Sequence, residues 1–312
     1  MEQKPVLPVL LSKQNRIVSL SLLLVVILSG IYTFLGVGMS MSALDMTRMS
    51  GIYSMPDAVN HVNMDMDGKM DMSMPSQGMS TDGDASKDTA HNQSMLQMGN
   101  QSPSEMQSAW SFNSSILMFL MWWFMMIAMM VPSAAPTLLL FHSLKKLGSE
   151  ADRALAQTYF FLLGYLGVWA FFSLVSCLLH ARLELSGTLN PMLMQITAPY
   201  LSAALLITAG IYQFTPMKNI CLERCRSPAE FLAENNRKGE FGALVTGVQH
   251  GAFCLGCCWA LMALLFVGGV MNLFWIVGLA LYVAIEKLTP QLRWLDKIFG
   301  ILLVGGGILL AV

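Results

Sequence analysis

The sequence predicts an all-α protein: a polytopic bundle of transmembrane helices with about seven spans, and a disordered, methionine-rich extracytoplasmic segment after the first. Three observations predict it. The 312-residue chain is 55% hydrophobic and only 12% charged, against about 25% charged in an ordinary globular domain, and its mean hydropathy is +0.57. Its apolar residues fall in uncharged runs long enough to cross roughly 30 Å of hydrocarbon at about 1.5 Å per residue. Of its 26 methionines, 14 stand between Met39 and Met106, in a polar stretch where core packing explains none of them. A net charge of −1 offers no basic field for nucleic acid, so nucleic-acid binding is excluded.

These features divide the chain into a membrane anchor (1–38), a Met-rich segment (39–110) and a helical membrane domain (111–312). The first apolar run, 17–38, carries no charge and follows Lys4, Lys13 and Arg16. It exceeds the roughly 7–15 residues of a cleaved signal core, and no small-x-small cleavage site follows. A retained anchor is therefore expected; cleavage would leave six spans. Residues 39–110 are rich in Met, Asp, Ser, Asn and Gln without periodicity, a composition that predicts disorder. Further spans are expected at 112–141, 157–179, 197–215, 242–268, 271–286 and 296–312, the last being short. Pro132 and Pro136 lie within the second and predict a kink there. With the N-terminus inside, only Arg48, Lys69, Lys87 and Arg182 fall outside, leaving 14 of 18 Lys and Arg on the inner side. The positive-inside rule then puts the N-terminus in the cytoplasm and 39–110 outside the bacterial cytoplasmic (inner) membrane.

Soft ligands recur in each part. Met39 and Met41, Met64 and Met66, and Met70, Met72 and Met74 repeat an M-x-M spacing, with His61 just before the second pair. Thioethers suit Cu(I). They need no deprotonation and survive an oxidising compartment, where thiols are lost to disulfides. In the second span Met118, Met121, Met125 and Met129 share one stripe, flanked by Met126 and Met130, so sulfurs stand one turn apart along the helix. The bland alternative is methionine as a flexible apolar filler. In the fifth span His250, Cys254, Cys257 and Cys258 occupy one face near mid-membrane, a depth where ionisable groups have functional partners. A single straight helix cannot wrap four ligands around one ion. Methionines of the second span are the expected further donors, and Gly242, Gly247 and Gly251 permit a close neighbour. The bland alternative is three buried cysteines serving as small apolar residues, with His250 hydrogen-bonded between helices. Cys221 and Cys225 lie between Pro216 and Pro228 in a predicted cytoplasmic loop, one turn apart if helical. Lys218, Arg224 and Arg226 are expected to favour their thiolates, which suits a two-coordinate Cu(I) site. The bland alternative is a basic surface loop. None of the six cysteines lies in the outer segment, so no extracytoplasmic disulfide framework is expected.

Three stretches carry a family resemblance: WWFMMIAMMVPSAAPTLLLF at 122–141, YQFTPMKNICLERCRSPAEFL at 212–232, and CLGCCWALMALLFVGGVMNLFWIVGLALYVAIEKLTP at 254–290. Over about residues 110–312 the chain resembles a bacterial family of predicted metal-binding integral-membrane proteins, some labelled copper chaperones. The resemblance implies metal binding. It carries over Met125, Met126, Met129, Met130, Cys221, Cys225, Cys254, Cys257 and Cys258 as motif positions. Glu286 and Lys287 match as well, at a membrane boundary where an ion pair or helix-end contact is the plain role.

The expected function is copper handling in the inner membrane, as transporter or chaperone. Cu(I) is the leading ion, and zinc and silver are the alternatives. The expected partners are the lipid bilayer, the metal ion, and a copper chaperone or copper-dependent apo-enzyme. No nucleotide-binding loop is present, and no enzymatic activity is expected. Two rival classes remain: a membrane thiol–disulfide oxidoreductase using Cys254-Leu-Gly-Cys257 with Cys221 and Cys225, and a noncatalytic subunit of a membrane complex.

Overall fold

The computed structural model of the chain describes residues 16–36, 112–148, 150–190, 193–235, 237–289 and 293–312, together with Ala43 and Thr47. The described residues are almost wholly α-helical. The helices are α1 (Arg16–Leu35), α2 (Phe112–Leu147), α3 (Ala154–Leu185), α4 (Pro199–Tyr212), α5 (Pro216–Arg226), α6 (Pro228–Glu234), α7 (Gly239–Ala263), α8 (Leu265–Gly268), α9 (Leu273–Leu288) and α10 (Arg293–Ala311). A 3-10 turn at Ala151–Arg153 precedes α3. A two-stranded antiparallel hairpin, β1 (Leu189–Asn190) with β2 (Gln195–Ile196), links α3 to α4 and pairs Leu189 with Ile196.

Five helical stretches are long and apolar enough to cross a membrane: Ile17–Leu35, Phe112–Leu147, Ala151–Leu185, Gly239–Gly268 and Trp294–Ala311. The two other expected runs differ. The run at 197–215 becomes α4 with 14 residues, and that at 271–286 becomes α9 with 16. At 1.5 Å per residue these reach only about 21 and 24 Å, so neither crosses alone. The sequence overestimates α4 because Gln213, Phe214 and Thr215 look compatible with a helix. Instead they turn the chain, and Thr215 caps a new helix whose first residue is Pro216. Pro132 and Pro136 do not interrupt α2, which is a single helix of 36 residues.

The centre of the bundle is α3, antiparallel to α2 and parallel to α7. Trp123 Nε1 donates to the Leu166 carbonyl at 3.2 Å, and His142 Nδ1 lies 3.0 Å from Thr158 Oγ1. Two glycines let α7 and α3 touch backbone to backbone. A Cβ at Gly247 would lie 2.0 Å from the Phe161 carbonyl oxygen, and one at Gly164 would lie 2.3 Å from that of Leu244. On the flank α10 packs on α4, while α1 lies against α2 with Tyr32 and Phe124 rings 4.6 Å apart.

One feature of the fold decides where the site forms. The chain after α4 does not leave the bundle as a loop but descends along α7. Tyr212 OH donates to the Gly256 carbonyl at 2.5 Å. Cys221 abuts Gly256, the Phe231 ring lies tilted against His250 with centroids 5.3 Å apart, and Thr246 Oγ1 donates to the Asn235 carbonyl at 3.1 Å. The partners on α7 thus step steadily toward its N-terminus. At that end Lys145 Nζ donates to the Arg237 carbonyl at 2.6 Å, and Glu150 accepts from Gln157 Nε2 at 2.9 Å and from the Gly239 amide at 3.3 Å. At the opposite end two residues of the 39–110 segment meet the bundle. Ala43 and Thr47 are buried, and Thr47 Oγ1 accepts the Leu273 amide at 3.0 Å, at the start of α9.

Candidate metal centre

Helix α7 carries Cys254, Cys257 and Cys258 on its buried face, all 2% exposed or less. Cys258 Sγ and Cys257 Sγ each lie 3.0 Å from the Cys254 carbonyl oxygen. Cys225, from α5, lies beside both Cys254 and Cys257, and so does Cys258. Cys258 Sγ also lies 3.9 Å from Met130 Sδ on α2. Four thiols and one thioether from three helices therefore form a single sulfur cluster, in which only Cys225 is half-buried and the others are buried. Met130 is at the middle of α2, and Cys254 at the middle of the Gly239–Gly268 stretch, so the cluster lies at half the height of the bundle.

The two cysteines of α5 are thus not a separate cytoplasmic pair. They are one turn apart on a helix, as the spacing predicts, but that helix lies against α7. Cys221 faces Gly256, where a Cβ would come within 2.7 Å of its sulfur; the glycine is what lets α5 approach. The expected thiolate-favouring cations are engaged elsewhere. Lys218 is completely buried and pairs with Glu286 while donating to Gln213 Oε1. Arg226 Nε donates to the Glu286 carbonyl at 2.8 Å, and its guanidinium lies 3.7 Å from Asp296. Arg224 pairs with Glu234 at the surface. This ion network ties α5 to α9 and α10, and so holds Cys225 in place.

Two residues that sequence reasoning did not assign to the site complete it. Tyr165 OH, from α3, lies 3.1 Å from Cys254 Sγ and donates to the Met130 carbonyl at 3.2 Å. Lys287 Nζ, from the end of α9, lies 2.9 Å from the same sulfur and 3.5 Å from Ser133 Oγ. No sequence signal marked Tyr165. For Lys287 the signal was its place next to Glu286 at the end of an apolar run, read as a membrane boundary. Because α9 is short, that end stops at the depth of the cluster.

The other predicted ligands are placed differently. His250 is one turn before Cys254, but its ring lies among Phe161, Tyr165 and Phe231 at 5.9, 5.8 and 5.3 Å, and among the described residues its Nδ1 has no hydrogen-bond partner. Met121, Met125, Met126 and Met129 are buried along α2 on the side of the cluster toward Phe112. Met64, Met66, Met70, Met72, Met74 and His61 lie outside the described residues. Cys177 is remote, its thiol directed at the Ser115 carbonyl 3.9 Å away.

The donor set fits a soft monovalent ion. Thiolate and thioether sulfurs select Cu(I), where hard cations require oxygen ligands. Among the described residues no group of three or more His, Cys, Asp or Glu side chains is disposed as a ready cage for a metal ion. The family model for copper chaperones named PpoB2 matches residues 119–310, which is more than half of the chain and contains every sulfur of the cluster. The chain belongs to the PpoB2 copper chaperone family. No curated protein and no solved structure matches it. For a copper chaperone family, a sulfur cluster drawn from three helices is a chemically consistent centre.

Proposed function

We propose that this protein binds Cu(I) inside the bacterial cytoplasmic membrane at the cluster of Cys225, Cys254, Cys257, Cys258 and Met130, and acts as a noncatalytic copper carrier. One observation carries the reading: thiols that lie about thirty residues apart in sequence, on α5 and α7, meet beside a methionine sulfur at the centre of the bundle. In this reading Cys254 and Cys257 are the principal ligands, because each lies beside both Cys225 and Cys258. Met121, Met125, Met126 and Met129 form a sulfur-lined approach from the outer side. The Met-rich segment, with His61 and Met64, Met66, Met70, Met72 and Met74, gathers the ion outside the membrane. The N-terminus lies in the cytoplasm, and α4, α5 and α6 together form one broken crossing beside the long apolar helices. Non-helical breaks at that depth are tolerated where they are buried in protein. A copper chaperone or copper-dependent apo-enzyme is the partner that exchanges the ion.

The test is elemental mass spectrometry of the purified full chain after copper exposure. Wild type, a variant lacking residues 39–106, and the Cys254→Ser/Cys257→Ser/Cys258→Ser variant are compared. Loss of tightly held copper with the triple change supports the reading. Copper retained by the triple change but lost on deletion refutes it, and leaves the outer segment as the binding region. A mixed disulfide trapped at Cys254 or Cys257 without any copper uptake would instead favour thiol–disulfide exchange.

A further inference from the structure

Lys287 is a buried cation with an unusual partner. Its side chain lies in the same layer as Lys218 and Arg226, and both of those have carboxylates: Glu286 for Lys218 and Asp296 for Arg226. Lys287 faces Cys254 Sγ at 2.9 Å and Ser133 Oγ at 3.5 Å, and it is 6% exposed. Among the described residues no carboxylate pairs with it. An ammonium taken out of water without a counter-charge is strongly unfavourable. The groups around it that can supply one are the cysteines of the cluster.

We propose that Lys287 is the specificity-determining residue of the sulfur cluster: its ammonium is the counter-charge that neutralises a monovalent soft cation held by two thiolates, and it opposes a divalent ion there. This rests on the reading that the cluster binds Cu(I). The charges balance simply. One Cu(I) and two thiolates carry a single negative charge, and one ammonium cancels it. One zinc ion and the same two thiolates are already neutral, so Lys287 would leave a net positive charge in the middle of the bundle. Zinc would need a third thiolate to restore neutrality, which requires ionising one more thiol in the interior, where burial disfavours the charged form. Softness alone does not make this distinction, because zinc binds thiolates well. The local charge does. Tyr165 is neutral and donates or accepts at the same sulfur, so it orients Cys254 without altering the charge. Silver(I) has the same charge as Cu(I), and the site treats the two alike.

The experiment uses the full chain in detergent, titrated with Cu(I), Ag(I) and zinc against chelators of known affinity. Wild type, Lys287→Met and Lys287→Arg are compared. Lys287→Met keeps the length of the side chain and removes its charge. It is expected to lower Cu(I) affinity by on the order of a hundredfold, the scale of a broken buried charge pair. It should also shrink the preference for Cu(I) over zinc by more than about tenfold. Lys287→Arg keeps the charge and is expected to retain the preference, which a purely structural role would not require. A monodisperse Lys287→Met protein with the wild-type preference overturns the proposal, while leaving Cu(I) binding itself intact. If Lys287→Met does not yield monodisperse protein, the wild type decides. Zinc that displaces Ag(I) at comparable concentration overturns the proposal, and Ag(I) held against excess zinc supports it. A wild type that takes up neither monovalent ion overturns the Cu(I) reading and this inference with it.

Discussion

Replacing Gly247 with alanine tests how closely the site depends on the contact between α7 and α3. The added Cβ would lie 2.0 Å from the Phe161 carbonyl oxygen, where ordinary contact begins at 3.4 Å. The shortfall, 3.4 minus 2.0, is 1.4 Å. The obstructing atoms are backbone, so no rotamer change relieves them and the helices must separate. Overpacking of this kind costs about 1–3 kcal/mol and occasionally more; the upper part of that range applies here. The functional consequence follows from Tyr165, four residues after Phe161 on α3. Its hydroxyl reaches Cys254 Sγ at 3.1 Å and the Met130 carbonyl at 3.2 Å, and a displacement of that size takes it out of hydrogen-bond range of both. Gly251→Ala meets the Val168 side chain at 3.0 Å and the Tyr165 carbonyl at 3.3 Å, and Gly167→Ala meets nothing within 4 Å. The first should be mild. The second should be neutral or slightly stabilising, since alanine is the better helix former by about 1 kcal/mol. Thermal unfolding followed with a thiol-reactive dye reports both the stability and the exposure of the cluster, and a Cu(I) titration reports the site. The expected order of damage is Gly247, Gly251, Gly167. A Gly247→Ala protein that melts like wild type, with its cysteines equally protected, would refute the reasoning.

Other outcomes follow from the same contacts. Lys218→Met strands Glu286 in the interior and should destabilise by about 3–5 kcal/mol; adding Glu286→Gln should recover part of that, as read by the melting temperature of single and double variants. Cys225→Ser should lower copper content, whereas Cys177→Ser, whose thiol points to the Ser115 carbonyl away from the cluster, should not; elemental analysis distinguishes them. Glu150 lies in the turn before α3, outside the long helices. The Gln157 amide, then the Gly239 backbone amide, hold its carboxyl below the usual glutamate range. A lowered folded-state pKa means the latch is present above the ordinary glutamate pKa and is lost as pH falls through the depressed value. The protection of the Gly239 amide, the intrinsic exchange rate at each pH divided by the observed rate, should therefore fall on acidification through that range in wild type, and be low at all pH in Glu150→Ala; protection at Gly239 that ignores pH in wild type would count against the latch.

Much of this protein was legible in its one-dimensional pattern. Long uncharged runs determine helices, because an apolar segment without water must satisfy its own backbone hydrogen bonds. The cysteine spacing on α7 determined one sulfur-bearing face, and the methionine spacing on α2 determined a second, since each depends only on the helical repeat. The helical spacing of Cys221 and Cys225 was read correctly too, but their surroundings were not. The run of Lys218, Arg224 and Arg226 suggested a solvated loop, and only the tertiary structure supplied Glu286 and Asp296 as buried partners that bring the segment into the bundle. Likewise the length of α9, fixed by where the chain turns and not by hydropathy, carries Lys287 to the depth of Cys254. Tyr165 had no mark at all, because its role comes from the close crossing of α3 and α7 at Gly164 and Gly247. Local periodicity decided which residues share a face, and long-range packing, through backbone contact and buried charge pairing, decided which faces meet.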